Sequence, residues 1–206
     1  MRRNLAFVWG VLVLFAISAC DKDQVSRIDD YFEEFATVMN DGLTVKFKLD
    51  NQRTLIPSVP GAFSDKKDTQ RVALNYTPLN GDTVKVNAAP NVFTDSLRTD
   101  KFPAEYHTDP VKIQSVWVGG NYLNAIVEVE YHDAAHTAAL FLPNPAEPGK
   151  LYFSYSRNGD AAGYPRTAYL SFSLDGLRDK VVALPFNFVV YINTHEGMRN
   201  VELRLK

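Results

Sequence analysis

Two successive groups of short strands predict an all-β chain, and the one stretch with helical spacing, Ile28 to Met39, suits a strand as well over Phe35 to Met39. The clearest strand is the second. Leu43, Val45, Phe47 and Leu49 alternate with Thr44, Lys46 and Lys48, as in a strand with one buried face. Clusters of Gly, Pro, Asn and Asp then punctuate the apolar runs at the spacing of hairpin turns. The first group packs five strands into about 65 residues, which suits a small closed or partly closed barrel. The second group has the spacing of an antiparallel β-sandwich.

Ahead of the strands, residues 1–19 predict a lipoprotein signal peptide. Arg2 and Arg3 form a basic head, and Leu5 to Ala16 is an apolar run broken only by Gly10. That run is shorter than the roughly 20 residues a membrane-spanning helix needs. Ile17-Ser18-Ala19-Cys20 resembles the lipobox of bacterial lipoproteins, in which the cysteine becomes the acylated N-terminus. Cys20 is thus the expected lipidation site, residues 20–27 a lipidated tether, and the lipid the link to a membrane. The expected location is the outer membrane of a Gram-negative envelope, facing the periplasm or the cell surface.

The barrel is expected over residues 28–94. Asp41-Gly42 reads as a tight hairpin turn, which makes Glu33 to Asn40 its first strand and Leu43 to Leu49 its second. Arg53 to Ile56, Arg71 to Tyr76 and Thr83 to Val92 complete the set, and the loop Pro57 to Asp68 exposes Phe63. Residues 95–110, with Pro103 and Pro110 and no clear period, read as an interdomain linker crossed by few contacts. The sandwich is expected over 111–206: Val111 to Val118, Tyr122 to Tyr131, Thr137 to Leu142, Leu151 to Ser156, Ala168 to Leu174, Val181 to Asn193 and Arg199 to Leu205.

Three segments resemble the NigD-like lipoprotein family. Asp68-Thr69-Gln70-Arg71-Val72-Ala73-Leu74-Asn75-Tyr76-Thr77 is similar to its DGQRVxVNYT segment, with Thr69 where glycine is usual. Asp109-Pro110-Val111-Lys112-Ile113 followed by Val116 to Asn124 is similar to DPVxIxxxWxxGxYLN, and Asn193 to Gly197 resembles a hairpin near the family's C-terminus. The resemblance implies an N-terminal OB-like barrel and a C-terminal β-sandwich. It implies no catalytic residues, and it links the family to bacteriocin immunity only by gene association.

Composition narrows the function further. Loss of residues 1–19 leaves 20 basic and 24 acidic side chains, a net charge of −4 that disfavours a nucleic-acid partner. Cys20 is the single cysteine, so once it is acylated no disulfide or thiolate ligand remains. No cofactor or metal is expected. His132-Asp133-x-x-His136 is the one clustered histidine pair, read as exposed residues flanking a hairpin turn. Glu128 and Glu130 share a strand face that looks solvated, unlike a glycosidase pair with one raised pKa. Trp117 and Tyr122 flank the Gly119-Gly120 turn, Trp117 as core or as a sugar platform. Asp82-Thr83-Val84 and Asp95-Ser96-Leu97 resemble short O-glycosylation patterns. The candidate ligand face is Thr44, Lys46, Lys48 and Arg53, a cationic strip on the barrel. The same lysines would also guard a strand edge. The expected protein is a non-enzymatic binding module for an envelope protein or a glycan, with glycan processing as the alternative.

Overall fold

The computed structural model describes residues 30–206, so the signal peptide, Cys20 and the tether lie outside the described residues. The first five strands are β1 (Phe32–Asn40), β2 (Val45–Leu49), β3 (Thr54–Pro57), β4 (Arg71–Asn80) and β5 (Thr83–Ala88). They close in the order β1-β2-β3-β5-β4, with β4 returning to pair antiparallel with β1. Closure leaves no edge and turns alternate residues inward. Val45, Phe47 and Leu49 of β2 are buried, with Val38, Leu55, Val72, Leu74 and Val84 around them. Each such side chain removed from water contributes about 1.5–3 kcal/mol.

Three details of the barrel differ from the sequence reading, the first being that β5 ends at Ala88 rather than Val92. Leu43 is 89% exposed rather than part of the core. The Asp41 carboxylate accepts the N–H groups of Leu43 and Thr44, which makes residues 41–44 a four-residue turn and starts β2 at Val45. Phe63 is half-buried, because the loop folds back and sets its ring edge-on to Phe47, 5.8 Å away.

The second group contains β6 (Phe93–Arg98), β7 (Lys112–Gly119), β8 (Tyr122–Tyr131), β9 (Thr137–Phe141), β10 (Lys150–Ser156), β11 (Tyr164–Ser173), a single helical turn α1 (Asp175–Arg178), β12 (Phe186–Thr194) and β13 (Gly197–Leu205). The strand order is β13-β12-β10-β9-β6-β11-β8-β7. Strand β6 is the fold line of this arrangement. Its first half runs parallel to β11, Phe93 opposite Leu170, and its second half parallel to β9, Leu97 opposite Leu140. The two halves of the sheet turn their apolar faces together around Leu123, Val127, Leu140, Leu151, Phe172 and Val190.

The expected linker is therefore corrected at its start. Asp95 to Arg98 lie inside β6, in mid-sheet, and Asp95-Ser96-Leu97 is strand rather than open linker. Polarity hid the strand: Thr94, Asp95, Ser96 and Arg98 line it, and only Leu97 of its second half is buried. Strand β12 starts at Phe186 rather than at the expected Val181, which lies in the loop before it. The hairpin at His195-Glu196 forms as expected, Thr194 opposite Gly197.

Candidate functional site

The barrel and sandwich meet across a polar lock that sequence reasoning missed. Arg71 of β4 is 1% exposed. Its guanidinium donates to both carboxylate oxygens of Asp50 at 2.7 and 3.1 Å, to Thr37 Oγ1 at 3.2 Å, to Asn124 Oδ1 at 3.1 Å and to Ser171 Oγ at 3.4 Å. All five N–H donors are thus satisfied, which a buried guanidinium requires. Asn124 and Ser171 belong to β8 and β11, so the ion pair of one domain is completed by amide and hydroxyl of the other. Tyr122 lies under the guanidinium, 4.3 Å from its ring centre.

Glycine makes the approach of Asp50 feasible. A Cβ on Gly119 would collide with Asp50 Oδ2, and one on Gly120, whose φ is +58°, would sit 3.2 Å from Oδ1. Beside the lock, Phe35 packs edge-on to Trp117 at 5.0 Å and to Tyr169 at 6.0 Å. Trp117 and Tyr122 therefore serve the domain seam. A groove of about 590 Å³ runs along that seam past Glu34, Asp50, Trp117 and Arg204.

The expected cationic strip is only partly assembled. Lys46 and Lys48 project from the outer side of β2 and make no ion pair among the described residues. Thr44 sits in the preceding turn, its hydroxyl on Asp41. Arg53 is held by Asp82 at 2.7 Å and by the carbonyl of Gly81. Glu128 is paired with Lys112 at 3.0 Å and Glu130 with Arg157 at 3.9 Å, so each carboxylate of that candidate pair has its own cation.

The histidine pair sits differently from its sequence reading. Strands β8 and β9 belong to opposite halves of the folded sheet, so residues 132–136 cross between the halves rather than close a hairpin. His132 stays outside, its side chain 57% exposed, while His136 turns inward at 11%. The organiser is Asp160, which no local motif announced. Its Oδ2 accepts the N–H of His132 and Nε2 of His136, and its Oδ1 accepts the N–H groups of Asp133 and Ala134. The N–H of His132 above all, then His136 and the other two amides, hold this carboxyl well below the usual carboxylate range despite its burial.

His132, Asp133 and Asp160 offer ligand atoms within 4.8 Å of one another. Both oxygens of Asp160 are already committed to N–H donors, so a cation there would have to displace the hydrogen bonds that shape the loop. The Asp160 carboxylate accepts from Nε2–H of His136, and Nδ1 on the other side of the ring is hydrogen-bonded to the hydroxyl of Tyr155. Burial pushes the Tyr155 phenol up to about 12.

His136 and Tyr155 form one wall of a cleft of about 500 Å³, where the sandwich splays open beside β6. The opposite wall carries Phe93, Tyr131, Arg166 and Tyr169. Tyr131 lies 5.3 Å from the His136 ring and 5.9 Å from Tyr164, its partner across the β8–β11 pairing. The guanidinium of Arg166 is stacked 4.6 Å over Tyr131. On these two strands Val127, Val129 and Leu170 are core residues; past the core, the same register holds Tyr131, Tyr164 and Arg166.

The comparisons with known proteins follow this architecture. The NigD-like C-terminal beta sandwich domain profile matches residues 94–205, and the NigD-like N-terminal OB domain profile matches residues 35–94. The chain belongs to the NigD-like family. Among solved structures, it is similar to a protein of Parabacteroides distasonis described as toxin-related, at 28% identity and a TM-score of 0.76, covering 86% of this chain and 94% of that one. A NigD-like immunity protein of Bacteroides caccae shares the fold at 22% identity and a TM-score of 0.60, covering 84% and 90%. So does a Bacteroides fragilis protein described as a lipoprotein, at 12% identity and 0.63, covering 86% and 99%. Among curated proteins no relative is found. In this NigD-like chain β6 opens the region matched by the sandwich profile, consistent with its place in that sheet.

Proposed function

We propose that this NigD-like chain is a lipid-anchored envelope protein that binds a ligand in the sandwich cleft and does not convert it. One observation carries the reading. The Asp160–His136–Tyr155 chain, the nearest approach to a catalytic relay among the described residues, ends on a phenol that is 5% exposed and whose hydroxyl is already engaged by His136, with burial pushing its pKa up to about 12. A general acid or base works best with a pKa near the operating pH, and this phenol is far from it. What remains is a concave, aromatic-walled surface with one unpaired cation, the composition of a binding site.

The lipobox at Cys20 supports an outer-membrane anchor, and among the described residues no helix is long and apolar enough to cross a membrane. Immunity, the role named for the Bacteroides caccae neighbour, would be one instance of binding. At 22% identity that neighbour supports the fold alone.

The test is retention without turnover. Mature protein incubated with oligosaccharides released from its own envelope should retain a ligand that is recovered chemically unchanged, and Tyr131→Ala should abolish retention while keeping a cooperative unfolding transition. New reducing ends or any other product would overturn the non-catalytic reading. Retention indifferent to Tyr131→Ala would move the site to the barrel lysines or the domain seam.

A further inference from the structure

Resting on the reading of the cleft as a binding site, the geometry points to its ligand class: we propose that it takes an acidic sugar, with the carboxylate on Arg166 and the ring against the aromatic wall. The guanidinium of Arg166 has no carboxylate partner among the described residues, a state it shares with Arg178 and Arg204, but it alone of these lines the cleft. Stacking on Tyr131 fixes the plane of its fork and lowers the entropy lost when two parallel N–H groups meet a carboxylate. The acidic groups around it are otherwise engaged. Asp160 is taken up by backbone N–H groups and His136, and Glu130 pairs with Arg157. An anion entering the cleft therefore meets a cation with no internal competitor.

The body of the ligand is constrained from the other end. Phe93 lies opposite Leu170, four residues along β11 from Arg166. At about 3.3 Å per residue, roughly 13 Å of cleft separates that aromatic from the cation. This length and the cavity of about 500 Å³ suit a mono- or disaccharide rather than a long chain. Phe93 of the cleft wall is 44% exposed, so a flat apolar face is open to the C–H face of a sugar ring. The lining also includes Asn91, Thr137 and Thr167, which supply polar groups for ring hydroxyls.

The experiment titrates the mature protein with glucuronate, with glucose, and with a glucuronate-terminated disaccharide, by calorimetry at low and at physiological salt. Glucuronate or its disaccharide should bind and glucose should not. Arg166→Gln should weaken binding at least about tenfold while leaving the melting temperature unchanged, because the residue is exposed. Added salt should weaken the wild type and leave the residual binding of Arg166→Gln nearly unchanged. Equal binding of glucose and glucuronate, unaffected by Arg166→Gln but lost in Tyr131→Ala, would overturn the acidic-sugar assignment and keep the cleft. Glucuronate binding indifferent to both substitutions would overturn the cleft itself. No binding of any probe would overturn the sugar assignment and leave the retention experiment to judge the cleft.

Discussion

Arg71 places a full charge out of reach of water, and the protein keeps it only because five acceptor atoms from two domains surround it. Arg71→Met should cost about 3 kcal/mol, the low end for stranding one partner of a buried pair, since Asp50 keeps 17% of its side chain exposed. Adding Asp50→Asn should restore part of that loss, which urea unfolding of the single and double variants measures. Thr69 has a φ of +65°, which a β-branched residue adopts at a cost. Thr69→Gly should raise stability by about 0.5–1 kcal/mol, the relieved strain outweighing the added freedom of the unfolded chain. Asp160 makes stability depend on acid. Its folded pKa is depressed, so its contribution is complete above the ordinary value of about 4 and is lost as pH falls toward the lower folded value. The stability gap between wild type and Asp160→Asn should be flat from about pH 5 to 8 and shrink below about pH 4. A gap unchanged down to pH 2 would refute this role.

Among the elements, β6 has the largest consequence for so short a strand. It is the seam through which β9 and β11 join into one folded sheet. A fragment starting at residue 111 lacks it and should show no cooperative transition, whereas one starting near residue 90 should unfold cooperatively. Circular dichroism on heating separates the two outcomes, and a stable 111–206 fragment would show that β9 and β11 can close without the strand between them. The divided pairing of β6 also opens the cleft, because the two sheet halves diverge where it changes neighbours. Gly119 acts at the other end of β7. Its missing side chain lets the sandwich turn approach Asp50 of the barrel.

At the scale of the molecule, the lock at Arg71 and the aromatic contact of Phe35 with Trp117 couple two domains that the sequence presents as beads on a linker. Coupling of this kind makes one body of the two domains, as the proposed anchoring through a single lipidated residue would require. Cys20→Ala should release the protein into the soluble fraction or leave an uncleaved precursor, read by fractionation and intact mass. A membrane-bound form with an unmodified Cys20 would refute the anchor.

The period-two pattern of Val45, Phe47 and Leu49 and the turn residues between strands were sufficient for the fold class, since alternation and turn chemistry are local properties of the chain. The lipobox expectation is likewise local to Ile17 to Cys20. The family resemblance supplied the barrel and sandwich as named domains. The sites were another matter. Arg71 meets Asp50, Asn124 and Ser171 across separations of 21, 53 and 100 residues, and Asp160 meets His136 across 24. No window of sequence holds such pairs together. Strand β6 escaped notice for a related reason: its neighbours β9 and β11 lie far along the chain, and their cover lets a polar segment pair in mid-sheet. Local pattern decided which residues form strands, and only the folding of one sheet half onto the other decided that Tyr131, His136 and Arg166 share a cleft.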